Sequence, residues 1–312
     1  MLSPVLVLAS VAVGIVPAAA GLAAAGWPRR SPAAAILLWQ ALGLGWGLAA
    51  VGALAGLGAA PGGFGVAGGA LAVATGAVRD VGSSGAPPDL IAALRLLSLA
   101  AGAALLILLC WVLLAASAAV LRARRRQRTL LSLLAHGDPK VPGALVVDYP
   151  TAAAYCVPGL RSRIVISAGA LAVLDQAELA AVLAHERAHL RERHDLVLLP
   201  FTALRRAFPR SAAARQAHTA VALLVEMLAD DHALRHRPAR ELVTALIRVG
   251  TAGTASTPAG ALAMSAQDSE VAARVARLLE PAPGLSAPAL TLVGAAAALL
   301  VAIPAALLVI PI

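Results

Sequence analysis

"LLSLAAGAALLILLCWVLLAASAAVLRARRRQR" occupies residues 96–128. Its first part is almost purely apolar, and its end gathers Arg122, Arg124, Arg125, Arg126 and Arg128. A helix needs about 20 apolar residues to cross roughly 30 Å of hydrocarbon, a length that residues 96–121 exceed. Arginines packed against one end of such a run hold that end on the cytoplasmic side. A basic stripe that reads nucleic acid would lack the apolar flank, so no direct nucleic-acid binding is expected.

Outward from this stretch, residues 2–25, 33–60 and 287–312 form three more runs of spanning length. The whole chain agrees: of its 312 residues 60% are hydrophobic and 13% charged, with mean hydropathy +0.84. Soluble domains carry about twice that share of charge. Arg29 and Arg30 follow the first run, as the larger cluster follows the third, so both basic ends lie on one side. The first run contains "VPAAAG", which looks like a cleavage site. It lacks a basic segment ahead of it, however, and is expected to be a retained helix. The predicted arrangement is a multi-pass protein of the cell membrane with both termini and residues 61–95 outside and residues 122–285 in the cytoplasm. Within the outer segment "PGGFGVAGGALAVATGAV" reads equally as a re-entrant piece or a surface loop. Cys110 and Cys156 stand far apart and make no disulfide framework.

Only the stretch between the third and fourth runs has ordinary globular composition. "GALVVDYP", "AAAYCVPG" and "SRIVISAG" are short apolar runs bounded by Pro and Gly, which predict small strands. Helical patterns follow at residues 176–193, 214–235 and 240–249. Asp175 and Glu178 have the spacing of a capping box at the start of the first. The fold class expected is mainly α: a polytopic membrane protein of about four transmembrane helices, with a small α+β domain inserted between the third and fourth. The divisions are residues 1–121, 122–285 and 286–312.

Within the inserted domain, "LAAVLAHERAHLRERHD" (residues 179–195) concentrates three histidines and two glutamates. On a helix His185 and His189 are four apart, so their imidazoles leave one face a turn apart and can share one Zn²⁺. Glu186 points beside that ion, where it can take a proton from water and return it to a leaving amine. A catalytic zinc needs a third protein ligand. In "LLVEMLADDHAL" Glu226 is the candidate, expected to be buried among Leu223, Leu224, Val225 and Leu228. Asp230, a turn further, is expected to receive the free N–H of a ligand histidine.

H-E-x-x-H followed by E-x-x-A-D, here His185-Glu186-Arg187-Ala188-His189 and Glu226-Met227-Leu228-Ala229-Asp230, resembles the gluzincin membrane metallopeptidases. "AYCVPGLRSRIVISAGALAVLDQAELAAVLAHERAHLRERHD" and "ARVARLLEP" resemble members of peptidase family M56, the protease half of the BlaR/MecR receptors. Three spans before the zinc motif and one after agree with that family. The motifs lie in residues 120–312; the first three spans agree by topology alone. The alternatives are an HtpX-like quality-control protease of family M48 and a non-catalytic signalling scaffold.

The M56 resemblance implies a gluzincin domain with one catalytic Zn²⁺, and cleavage of a winged-helix repressor of the BlaI/MecI type in regulated signalling. The chain has no S-x-x-K motif, so β-lactam sensing by that route is not expected. The resemblance also implies that substrate lies along the strand at Ala154, Tyr155 and Cys156, with His232 or His236 as oxyanion partner. The expected partners are a protein substrate, the lipid bilayer and, as an open question, a second copy of the chain in a homodimer. His194 falls off the metal-facing stripe and reads as a cation at a helix C-terminus, where it would suit the helix dipole. His136 and His218 read as solvated. Residues 250–269 lack helical periodicity and read as a flexible linker or a self-cleavage segment.

Overall fold

A computed structural model describes residues 4–59, 88–139, 141–159, 162–254 and 261–309. The outer segment at 61–95 therefore lies outside the described residues up to 87, and from Pro88 it is helix. Among the described residues four helices are long and apolar enough to cross a membrane: α1 (Pro4–Ala24), α3 (Pro32–Gly58), α4 (Pro88–Leu134) and α11 (Ala287–Val309). A single turn, α2 (Trp27–Arg30), joins the first two. α3 is central and packs against α1, α4 and α11. At Gly45 a β-carbon would sit 2.5 Å from the Leu300 carbonyl oxygen, so glycine is what lets α3 and α11 touch backbone to backbone. α4 does not stop at the arginines but continues to Leu134. Arg, Gln and Leu are good helix formers, and no Gly or Pro interrupts them before Gly137.

A four-stranded sheet follows, with strands β1 (Ala135–Gly137), β2 (Ala144–Val147), β3 (Ala154–Val157) and β4 (Arg163–Ser167) in the order β1-β2-β4-β3. β2 and β4 are parallel, and the outer pairs are antiparallel. His136 is exposed but paired with Val146 in β1, a strand the sequence reading did not foresee. The centre is β4, whose Ile164, Val165 and Ile166 are buried. Its last residue, Ser167, caps the short helix α5 (Ala168–Val173) by accepting from the Ala170 N–H.

α6 (Gln176–Arg191) starts at the capping box: the Asp175 carboxylate accepts from Glu178 N–H, and Glu178 accepts from Asp175 N–H, each at 2.9 Å. It ends where Arg193 takes a left-handed backbone, φ 51° and ψ 44°. The chain then re-enters helix as α7 (His194–Ala207), followed by α8 (Ala212–Leu234), α9 (Ala239–Thr254) and α10 (Ala261–Leu279). The 250–269 stretch is thus helical to 254 and again from 261, and 255–260 lie outside the described residues. Ala and Thr are compatible with helix, and the expected linker reading overweighted the missing apolar stripe.

Two cores meet at the α6–α8 contact. On one side Leu179 and Leu183 of α6 pack on Val146, Ile164 and Ile166 of the sheet. On the other, Phe201 of α7 and Val221, Leu224 and Val225 of α8 pack on Leu22, Ile36, Trp39 and Leu42 of the spans. Trp39 and Phe201 meet edge to face at 6.4 Å, and the Gln40 amide donates to the Val197 carbonyl at 2.8 Å. Arg124 of α4 pairs with Asp195 at the start of α7. Helix α8 therefore leaves the surface of the spanning bundle and turns its next residue, Glu226, towards α6.

Candidate metal centre

The i, i+4 spacing on α6 brings His185 Nε2 and His189 Nε2 to 3.0 Å. Glu226 Oε2 lies 3.3 Å from the first and Oε1 3.5 Å from the second. The donor atoms of the three residues all fall within 4.8 Å of one another. Two imidazole nitrogens this close, with a carboxylate facing both, have the donor types and spacing to hold one small cation at about 2.0–2.1 Å. The Glu226 side chain is 36% exposed, not buried as expected, because its apolar neighbours on α8 turn towards the spans.

Behind His185, its Nδ1 lies 2.9 Å from Asp230 Oδ1. Asp230 is 1% exposed and is gripped by Arg274 of α10 through Nε at 2.8 Å and Nη2 at 2.6 Å. The third guanidinium nitrogen, Nη1, reaches Glu226 Oε2 at 3.0 Å. Burial alone would raise the Asp230 pKa, but hydrogen bonds from Arg274 and His185 outweigh it and hold the carboxyl below its ordinary range. Partial burial likewise opposes ionisation of Glu226, and the His185 and His189 rings facing it bring its pKa well below the ordinary range. One residue on, Asp231 is held by Arg277 at 2.7 and 2.8 Å, and Arg277 also donates to the Arg29 carbonyl at 2.6 Å. α10 thus ties the donor helix to the α1–α3 connection.

The Cys156 thiol of β3 lies near Glu186, beside the donors, and its pKa is pushed up to about 12 by burial and then by the Glu186 carboxylate. β3, with Ala154, Tyr155 and Cys156, pairs only with β4 among the described residues and forms an edge of the sheet next to α6. His232 and His236 do not join the cluster. His232 Nδ1 lies 3.0 Å from the Leu228 carbonyl, and its Nε2 lies 3.6 Å from Glu192. His236 lines a cavity with Ala180, Ala184, Arg187 and Arg191, on the face of α6 turned away from the donors. His232 lies six residues past Glu226, off its face, and His236 lies beyond the end of α8 at Leu234.

His194 is the largest departure from the sequence reading. It opens α7 instead of closing α6, is 2% exposed, and places Nδ1 2.9 Å from His189 Nδ1. Burial, then the neighbouring His189, lowers its pKa to about 4, so it is a neutral ring and not the cation expected at a helix end. Sequence reasoning missed its placement because the left-handed Arg193 breaks the helical count. It missed Arg274 because that guanidinium comes from 44 positions beyond Asp230.

Two imidazoles and a carboxylate, a glutamate beside them and, among the described residues, four helices of spanning length support the class of a membrane metallopeptidase. Residues 120–229 match the family model of Peptidase family M48, a stretch that takes in the sheet, α6 and α8 through Glu226. The resemblance to M56 drawn from the motifs is corrected by this match, and the repressor substrate that rested on it loses its support. H-E-x-x-H and a downstream glutamate make one donor set for a catalytic zinc that gluzincin families share, so they do not separate those families. No match is found among curated proteins or among solved structures.

Proposed function

We propose that the chain is a zinc-dependent endopeptidase of the M48 kind, integral to the cell membrane, which cuts membrane proteins in quality control. The observation that carries this reading is the convergence of His185, His189 and Glu226 donor atoms within 4.8 Å, with Glu186 next along the same helix. Two histidines, one glutamate and an open position are the donor set of a catalytic zinc rather than a closed structural one. Zinc bound there supplies Lewis-acid polarisation of the scissile carbonyl and the attacking water. Glu186 takes the proton from that water and delivers it to the leaving amine. The substrate adds as an extended strand beside β3, main chain to main chain. Burial of α7 and α8 against α1 and α3 supports a substrate at the bilayer rather than a freely diffusing one. The Arg122–Arg128 cluster supports a cytoplasmic site with both termini outside.

The test is zinc content and cleavage of a destabilised membrane protein by the detergent-purified chain and its Glu186→Gln variant. Both should hold one zinc, and the variant should cut about 10²–10⁴-fold more slowly. Wild type without zinc, or equal cutting by both, defeats the reading.

A further inference from the structure

We infer that His194 is a positioning residue for the metal centre, holding ligand His189 through a hydrogen bond between the two Nδ1 atoms. This rests on the metallopeptidase reading and adds to it a residue outside the ligand set. His189 presents Nε2 to His185 and Glu226, and its Nδ1 lies at the opposite edge, 2.9 Å from His194 Nδ1. Once Nε2 commits its lone pair to a cation, the ring proton resides on Nδ1, which then donates to the lone pair of His194 Nδ1. His194 must in turn carry its own proton on Nε2. The two rings stand nearly perpendicular, 86° apart with centroids at 4.8 Å, so the contact is edge to edge through nitrogen and not a stack.

Two features disfavour this histidine as mere filling. Its Nε2 is buried and has no partner among the described residues, an arrangement an apolar side chain would avoid. The residue before it, Arg193, is the one described non-glycine residue with positive φ. That left-handed residue turns the chain between α6 and α7, and His194 follows it against His189. The imidazole does not cap α7, since no side-chain cap is formed there. An unfavourable backbone and an unmet donor thus converge on the one ring that backs a ligand.

The experiment measures zinc affinity of the full chain in detergent by chelator competition, together with thermal stability of each metal-stripped protein. H194N retains an acceptor oxygen near the position of Nδ1, whereas H194F keeps the bulk without an acceptor. H194F should lose about 10–100-fold in zinc affinity, the range for removing such a supporting partner, and H194N should restore most of it. Cobalt-loaded protein should show an altered visible spectrum in H194F only. Equal affinity of H194F and wild type overturns the inference and leaves the metallopeptidase reading standing. Equal loss in H194N and H194F also overturns it, because the acceptor that H194N retains would then make no difference. Wild type that takes no zinc overturns both.

Discussion

His185 and His189 leave the same face of one helix a turn apart, yet the protein supports them by opposite means. Behind His185 stands a fully buried carboxylate, neutralised by a guanidinium that also touches Glu226. Behind His189 stands a neutral imidazole that brings no charge at all. A carboxylate partner makes an imidazole more basic and fixes its tautomer; an imidazole partner fixes the tautomer but adds little basicity. The charged support comes from α8 and α10, elements tied to the α1–α3 connection through Arg277. The neutral support comes from the left-handed turn at Arg193 between α6 and α7. One histidine is therefore wired to the spanning bundle electrostatically, and the other is held locally by chain geometry.

The largest break of this comparison is Arg274→Ala. It leaves Asp230 buried beside Glu226 with the guanidinium gone, and removing one partner of a buried pair costs about 3–5 kcal/mol. The melting temperature of the metal-stripped protein should fall far below that of the wild type. Restoration of stability by zinc would show that a bound cation can stand in for the missing charge. An unchanged melting temperature would mean that solvent reaches Asp230 and that the charged support is not buried.

Next in size is Asp230→Asn. The amide oxygen can still accept from His185 Nδ1–H, but the charge is lost and Arg274 is left facing Glu226 alone. Zinc affinity should fall towards the upper end of the 10–100-fold range for such partners, about 100-fold by chelator competition. A loss no larger than that of His194→Phe would erase the distinction between charged and neutral support.

What the sequence showed of this site follows the same division. The grouping of His185 and His189 was legible because a helical spacing of four is a local rule, and the approach of Glu226 and Asp230 because they repeat that rule on a second helix. The four spans and the short strands were legible from run length and from the Pro and Gly that bound them. Arg274 was not, since only tertiary packing brings α10 over Asp230. The helix α7 was hidden because "ERHDLVLLP" continues the polar tail of one helix into the apolar face of the next without a Gly or Pro between them. The choice between related families also lay beyond the motif, for those families share one donor set.

Arg193 tests the local half of the comparison with the smallest expected change. Its side chain is half exposed and approaches Asp195 at only 3.7 Å, a pair that contributes little. Its backbone matters more, because a left-handed conformation costs an L-residue about 1–2 kcal/mol. Arg193→Gly removes that cost but gives back about 0.5–1 kcal/mol in unfolded-chain entropy, so the net change in stability should be near zero. Arg193→Val cannot adopt the turn as readily and should shift the start of α7. Zinc affinity should then fall along with stability, since His194 moves away from His189. If Arg193→Val binds zinc as the wild type does while Arg193→Gly is also unchanged, the turn is incidental to the metal centre. A loss confined to the valine variant makes that single left-handed residue the reason His189 is held in place.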